Sequence, residues 1–287
     1  MDDVKVDAPG GRFVVWHRPA RGTSPTAVLV HGLSGNSRWW SRVIDDLPGD
    51  IGVVALDVRG RGLSIDAPPP YDLTTISDDI GRALDRLGLP TAIVAGYSMG
   101  GWVAALFGHR EPDRVDRLVL VDGGIPLPVE RGMEPEEIID ALVGPSLARF
   151  EMEFVSRQAF IDYWKSHPAF REHWDDAMEP ALAHELVVEN GMLRVRANPE
   201  AISVGAREIT VGAAPNEAAK RLEVPTHLMV AERGTADQLP GMIPLEIAED
   251  AAKANPNITI QYLAGVNHYT VVLGNGCGPV ASAIATG

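Results

Sequence analysis

The sequence lacks the features that would indicate a membrane or secreted protein. No apolar run approaches the roughly 18 residues needed to cross a bilayer, and the N-terminus MDDVKVDAPGGR is acidic and has no apolar signal-peptide core. Cys277 is the single cysteine among 287 residues, which excludes an internal disulfide and fits a reducing compartment. It also lies outside any recognisable catalytic-thiol motif. We therefore expect a cytoplasmic protein with no membrane partner.

Positive charge is scarce as well. The chain has 25 Lys and Arg residues against 39 Asp and Glu residues, a formal net charge of -14. Phosphate backbones are bound by clustered basic side chains, so this balance argues against nucleic acid as a partner. No histidine pair has the helical spacing of a metal site, and the Gly60-Arg61-Gly62 turn lacks the Lys-Ser/Thr ending of a phosphate loop. We expect no metal and no cofactor.

What the chain does have is 45% hydrophobic residues, arranged as short apolar runs that alternate with helical patterns. This alternation predicts an α/β fold, a mostly parallel sheet flanked by helices. A helix is predicted between the third and fourth strands, because apolar residues recur there with helical spacing from Ile76 to Leu87. The predicted strands are Phe13–Trp16, Ala27–His31, Gly52–Asp57, Thr91–Ala95, Arg117–Asp122, Thr226–Ala231 and Ile258–Leu263, with a further helix at Ile243–Ala252.

Strand signals are nearly absent between residues 124 and 219, where helical patterns replace them. The clearest are EPEEIIDALV, RQAFIDYW and REHWDDAMEPALAHELV. The simplest organisation is a core domain formed by residues 1–123 and 220–287, interrupted by a helical cap formed by residues 124–219.

The run Gly96-Tyr97-Ser98-Met99-Gly100 carries the clearest chemical signal, because it connects an apolar strand to a helix. A sharp strand-to-helix turn strains its central residue, and glycines on both sides avoid the collisions that side chains would cause. The Ser98 hydroxyl then stands clear of the sheet, and the helix directs its free N–H groups toward whatever the serine attacks. This context predicts Ser98 as a nucleophile.

Four separated motifs resemble those of the α/β-hydrolase family. His31-Gly32-Leu33 looks like its oxyanion loop, Asp57 to Ser64 looks like its D-x-R-G-x-G-x-S turn, Gly96 to Gly100 looks like its nucleophile elbow, and Gly265 to Tyr269 looks like its catalytic histidine loop. The resemblance covers nearly the whole chain. It implies the α/β-hydrolase fold, with the inserted helical cap in the place of the lid that capped members carry.

A serine hydroxyl needs an imidazole to take its proton and a third group to orient that imidazole. Of the eight histidines, His268 is the one that follows a predicted late strand in a short loop, so we predict it as the base. The backbone N–H groups of Leu33 and Met99 are the predicted oxyanion hole.

Three carboxylates are candidates for the acid. In most members of the family the acid follows the strand after the cap, but here Gly234 occupies that position. Asp122 ends the strand after the elbow helix, where a minority of members place their acid. Glu232 lies slightly before the usual position and Asp237 slightly after it. We predict Asp122, with Asp237 and Glu232 as the alternatives.

A serine at the elbow favours acyl chemistry over the alkyl-ester chemistry of an aspartate nucleophile. We expect a hydrolase of a carboxylic ester or lactone, with an apolar small molecule of moderate size as substrate. The alternatives are a carbon-carbon bond hydrolase of a vinylogous diketone and a non-catalytic small-molecule receptor on the same fold. The sequence leaves a homodimer open. Candidate pocket residues are Trp40 and Trp102 near the site and Trp164 in the cap.

Overall fold

A computed structural model describes residues 1–127, 137, 144 and 148–286 of the protein. The strands described there are β1 (Asp2–Ala8), β2 (Gly11–Arg18), β3 (Thr26–Val30), β4 (Gly52–Asp57), β5 (Ala92–Tyr97), β6 (Val115–Val121), β7 (Leu186–Glu189), β8 (Met192–Val195), β9 (Thr226–Arg233) and β10 (Ile258–Asn267). Eight of them form one sheet in the order β1-β2-β4-β3-β5-β6-β9-β10. β2 pairs antiparallel with β1 and β4, and the remaining pairs of this sheet are parallel.

The second helix begins and ends at residues that commonly cap helices. Its N-cap Asp72 accepts a hydrogen bond from the N–H of Thr75 at 2.9 Å, and Gly88 ends it with a φ of 68°. The helices are α1 (Ser41–Asp46), α2 (Leu73–Leu87), α3 (Met99–Arg110), α4 (Arg157–Ser166), α5 (Pro168–Arg171), α6 (Glu179–Ala183), α7 (Pro199–Val211), α8 (Ala213–Lys220), α9 (Leu245–Ala254), α10 (Thr270–Leu273) and α11 (Cys277–Thr286). In the described ranges, none of the helices combines the length and apolar character that spanning a bilayer requires.

The central strands bury side chains on both faces of the sheet. Along β3, Val28 and Val30 join the apolar layer that contains α2 and α3. Ala27 and Leu29 alternate with them and join the opposite layer, which contains α1 and α11. Successive residues of a strand point to opposite faces, so this pattern requires helices on both sides. The predicted mostly parallel sheet flanked by helices is confirmed.

Every predicted strand overlaps an observed one, and Gly52–Asp57 coincides with β4. β1 was not predicted. Its sequence DDVKVDA alternates valines with charged residues, and it forms the edge of the sheet, pairing only with β2. Such a strand buries little apolar surface, so its hydrophobic signal is weak.

The segment between β6 and β9 contains α4 to α8 and a small sheet of β7 and β8. α4 confirms the predicted helix over RQAFIDYW. The prediction of one helix over REHWDDAMEPALAHELV is wrong: Asp175 caps a short 3-10 turn, Pro180 lies in the first turn of α6, and the chain then enters β7. The predicted helix EPEEIIDALV lies outside the described residues, Glu137 apart. The boundaries of a cap at residues 124 and 219 stay a prediction.

Candidate active site

Ser98 lies between β5 and α3 with a φ of 52° and a ψ of -124°, in a strained region for a residue with a side chain. Two glycines make the turn possible. A Cβ on Gly96 would lie 2.0 Å from the carbonyl oxygen of Gly100, and a Cβ on Gly100 would lie 2.1 Å from that of Val30. The N–H of Ser98 donates to the carbonyl of Val121 at 2.9 Å, which ties the turn to the end of β6.

The structure brings Ser98, His268 and Asp122 into one chain of hydrogen bonds. Oγ of Ser98 lies 3.1 Å from Nε2 of His268, and Nδ1 of His268 lies 2.6 Å from Oδ2 of Asp122. Because an ionised carboxylate can only accept, the ring proton belongs on Nδ1, which leaves Nε2 free to take the serine proton. Asp122 is fully buried, and its second oxygen accepts the N–H of Ala231 at 3.2 Å.

The two alternative acids, Asp237 and Glu232, form hydrogen bonds to groups other than the ring of His268. Asp237 accepts a hydrogen bond from the side-chain amide of Asn267 at 3.0 Å. Glu232 accepts the N–H of Gly265 at 2.8 Å. Neither occupies a ring nitrogen of His268, since Ser98 and Asp122 take both.

The two residues that carry the predicted oxyanion donors lie close to Ser98. Met99 is the first residue of α3, so its N–H is one of those left without an acceptor inside the helix. Leu33 lines the same cavity as Ser98. Acyl transfer needs such donors beside the nucleophile, and Leu33 and Met99 stay the predicted pair.

Three consecutive carbonyls of the oxyanion loop are held by buried side chains. The carbonyl of Gly32 lies 2.7 Å from Nδ1 of His31, that of Leu33 accepts from Nε of Arg61 at 3.0 Å, and that of Ser34 accepts from Nη2 of Arg149 at 2.8 Å. Residues 32–34 are thus held through their carbonyl groups.

His31 is neutral in this arrangement. Its Nε2 accepts the N–H of Val58 at 3.0 Å, so the proton lies on Nδ1 and is donated to the carbonyl of Gly32. Burial lowers the pKa of His31 to about 4. The imidazole of His31 therefore serves as a fixed hydrogen-bonding unit in the loop.

A cavity of about 450 Å³, including its open mouth, lies beside Ser98. Among the described residues that line it, none is Asp, Glu, Lys or Arg. Its walls are formed by Gly32, Leu33, Ser34, Trp39, Tyr97, Ser98, Ile209, Thr235, Met242, His268 and Tyr269. The aromatic and aliphatic share of these residues suits an uncharged group. Within the described ranges, no group of three or more His, Cys, Asp and Glu side chains is placed to hold a metal ion.

The three tryptophans predicted for the pocket are not among these lining residues. Trp40 and Trp102 are fully buried in the two apolar layers. Trp164 belongs to the chain segment between β6 and β9, where its ring packs against those of Phe160 and Phe170. Trp39 lines the cavity instead and donates its indole N–H to Glu185 at 2.8 Å. Trp39 and Trp40 share a 3-10 turn, where neighbouring side chains point in different directions, and the sequence carries no signal that separates them.

Comparison with known proteins agrees with the fold and the motifs. A family model described as the alpha/beta hydrolase fold matches residues 25–198. The chain belongs to the α/β-hydrolase family. A putative carbamate hydrolase, RutD, of Caulobacter vibrioides is 36% identical over 97 residues, which are 33% of this chain and 36% of that protein. The chain thus spans about a third of the length of the curated relatives it matches at this level of identity.

Two further similarities extend over more of the chain. A putative 2-succinyl-6-hydroxy-2,4-cyclohexadiene-1-carboxylate synthase of Bacillus subtilis is 26% identical over 219 residues and covers 73% of both chains. The crystal structure of E-2-(acetamidomethylene)succinate hydrolase superposes with a TM-score of 0.80 at 20% identity, over 99% of this chain and 98% of that one. At this identity the superposition shows a shared fold.

Proposed function

We propose that the protein is a serine hydrolase that cleaves a carboxylic ester or lactone through an acyl-enzyme on Ser98. One observation carries the proposal. The same imidazole, His268, faces the Ser98 hydroxyl at 3.1 Å with one nitrogen and is held by Asp122 at 2.6 Å with the other. This geometry supplies an activated nucleophile.

The reaction follows from the positions of these groups. Nε2 of His268 takes the proton as Oγ of Ser98 attacks the carbonyl carbon, and the N–H groups of Leu33 and Met99 bind the oxygen that becomes negative. The imidazolium is stabilised by Asp122 and returns its proton to the departing alkoxide, which leaves as the alcohol. Water, deprotonated by His268, then attacks the acyl-enzyme, and the carboxylic acid is released with Ser98 restored.

The substrate that fits best is an uncharged ester or lactone of moderate size. Support comes from the cavity wall, where Trp39, Tyr97, Tyr269, Ile209 and Met242 offer apolar surface. The hydroxyl groups of Ser34 and Thr235 on the same wall can hydrogen-bond to an ester oxygen. These lining residues include no Asp, Glu, Lys or Arg that could pair with a charged acyl group.

Active-site labelling tests the proposal directly. A fluorophosphonate probe is expected to form an adduct that peptide mapping places on Ser98, and Ser98→Ala is expected to prevent labelling and to lower kcat by about 10⁴ or more. Ser77→Ala serves as the matched control, because Ser77 is buried in α2, outside the site. Absence of labelling in folded wild-type protein would instead indicate a binding protein without catalysis.

Product analysis then separates the reaction classes. The purified enzyme is screened against aryl esters, lactones and vinylogous diketones, with Ser98→Ala beside it. An ester yields an acid and an alcohol, whereas carbon-carbon cleavage yields an acid and a shortened dienol. Turnover of the diketones alone would contradict the ester and lactone assignment while preserving the serine mechanism.

A further inference from the structure

Arg61 is fully buried and contacts the two residues whose N–H groups are the predicted oxyanion donors. Its Nε donates to the carbonyl of Leu33 at 3.0 Å, and its Nη2 lies 3.8 Å from Sδ of Met99. Its remaining hydrogen bonds go to backbone carbonyls, from Nη1 to Arg59 at 2.8 Å and from Nη2 to Ala201 in α7 at 2.8 Å. One guanidinium therefore joins the oxyanion loop, the start of the elbow helix and a helix of the segment between β6 and β9.

The charge of Arg61 sets it apart from two other buried arginines. Arg59 pairs with Asp79, and Arg149 pairs with Glu185. In the part of the chain that the structure describes, no carboxylate forms an ion pair with Arg61, and the oxygen atoms that accept its hydrogen bonds are neutral carbonyls. Burial lowers the pKa of Arg61 to about 9, which leaves the guanidinium charged at neutral pH. A buried charge without a counter-charge costs stability, so its position calls for a functional reason.

The peptide planes around Leu33 supply that reason. The N–H of Leu33 belongs to the plane whose carbonyl, that of Gly32, is held by His31. The next plane carries the carbonyl of Leu33, which Arg61 holds. With both carbonyls fixed, neither plane can rotate, and the N–H of Leu33 keeps one direction. A preorganised donor of this kind stabilises an oxyanion without reorganising during the reaction.

We propose that Arg61 is the positioning residue of the oxyanion hole. It holds Leu33 and Met99 in one arrangement, and it places next to them a positive charge that pairs with no carboxylate of the described residues. This role rests on the proposed acyl-transfer function, because it applies only where a tetrahedral oxyanion forms at Ser98.

The test compares Arg61→Met and Arg61→Lys with Arg59→Lys, using a neutral p-nitrophenyl ester. Removing the guanidinium is expected to lower kcat by about 10²-fold while KM stays within about threefold, because the lost interaction acts in the transition state. Arg61→Lys keeps the positive charge but lacks the planar set of guanidinium N–H donors, and it is expected to recover part of this loss. Arg59→Lys changes a buried arginine of the same turn that faces Asp79, and its kcat is expected to stay within about threefold of wild type.

A second pair of variants leaves Arg61 in place, in case its replacement prevents folding. A Cβ on Gly205 in α7 would lie 2.9 Å from Nη2 of Arg61, 2.8 Å from Cδ1 of Leu33 and 3.0 Å from Sδ of Met99. Gly205→Ala is therefore expected to displace this contact and lower kcat at nearly constant KM. Gly81→Ala is the matched control, since a Cβ there meets Phe107 at an ordinary 3.6 Å, and it is expected to leave kcat unchanged.

Three steady-state outcomes would overturn the role of Arg61. They are a folded Arg61→Met with kcat within about threefold of wild type, a loss confined to KM, and a Gly205→Ala variant as active as Gly81→Ala. Fluorophosphonate labelling separates this failure from failure of the proposed function. If wild-type Ser98 is not labelled, the function and the role of Arg61 fall together. If wild type and Arg61→Met are labelled at the same rate, only the role of Arg61 falls.

Discussion

Asp122 and Ser98 both have positive φ angles, 47° and 52°, which residues with side chains rarely adopt. The N–H of Asp122 donates to the carbonyl of Met229 at 2.8 Å, so the neighbouring strand β9 fixes the residue as β6 ends. Gly123 follows because a Cβ there would lie 2.2 Å from the carbonyl oxygen of Ser98. Asp122 and Ser98 are therefore held by adjoining backbone turns, and Asp122 already contacts His268 without a carboxylate from the loop after β9.

Asp122→Asn is expected to lower kcat by about 10³ to 10⁴ and to leave the fold intact. The amide has the size of the carboxylate, but its NH₂ group favours the wrong tautomer of His268 and gives no charge to the imidazolium. Steady-state kinetics and circular dichroism measure the two effects. Asp237→Asn and Glu232→Gln, the comparators, are expected to stay within about tenfold of wild type. The reverse ranking would transfer the acid role to the loop after β9.

His31 is expected to make stability depend on pH. Its pKa is about 4 in the folded protein and about 6.5 when unfolded, so below pH 6.5 the unfolded chain binds a proton that the native protein does not. Stability is therefore full above pH 6.5 and falls as the pH drops toward 4, by about 3 kcal/mol over the whole range. Urea unfolding of wild type and His31→Asn at several pH values measures this contribution. Equal slopes for the two proteins would show that His31 is not responsible.

Strand and turn chemistry explains which elements could be read from the sequence. β3, β5 and residues 118–121 of β6 are buried on both faces and appear as apolar runs. The glycines around Ser98 predict the turn there. The β7–β8 hairpin was missed, although Asn190-Gly191 between LVVE and MLRV is a strong hairpin signal and both residues have positive φ angles. The hairpin was not predicted because the predicted helix REHWDDAMEPALAHELV extends into the first residues of β7.

The segment between β6 and β9 reaches the oxyanion loop through a buried ion pair. Arg149 and Glu185 are 3.1 Å apart, and both are nearly inaccessible to solvent. Arg149 also donates to the carbonyl of Ser34, and Glu185 accepts the indole N–H of Trp39. Both of these partners line the cavity, so the segment shapes the wall of the site. Periodicity in the sequence could not reveal this, because the residues meet only through tertiary packing.

Glu185→Gln is expected to destabilise the protein by about 3 kcal/mol, because removing one charge of a buried ion pair leaves the other charge buried and uncompensated. The free energy of unfolding in urea provides the measurement. Glu179→Gln is the matched control in the same segment, because the Arg157–Glu179 pair is open to solvent, with side chains 58% and 31% exposed. It is expected to change the free energy of unfolding by about 0.5 kcal/mol or less. Similar losses in both variants would contradict a special role for the buried pair.

The charge of the whole molecule contrasts with its site. The chain carries a formal charge of -14, whereas the cavity beside Ser98 is lined largely by apolar and aromatic side chains. A strongly negative protein repels anionic ligands over distances that shorten as salt is added. Substrate charge should therefore affect the encounter rate even where the chemistry at Ser98 is the same.

Two esters with the same leaving group test this field, p-nitrophenyl butyrate and the anionic p-nitrophenyl hemisuccinate. Between about 0.01 M and about 0.15 M salt, the Debye length falls from about 30 Å to about 8 Å. Over this range kcat/KM of the anionic ester is expected to rise several-fold from a low value, while that of the neutral ester stays constant. The opposite result, a preferred anionic ester whose kcat/KM falls with salt, would indicate a local positive site that overcomes the net charge.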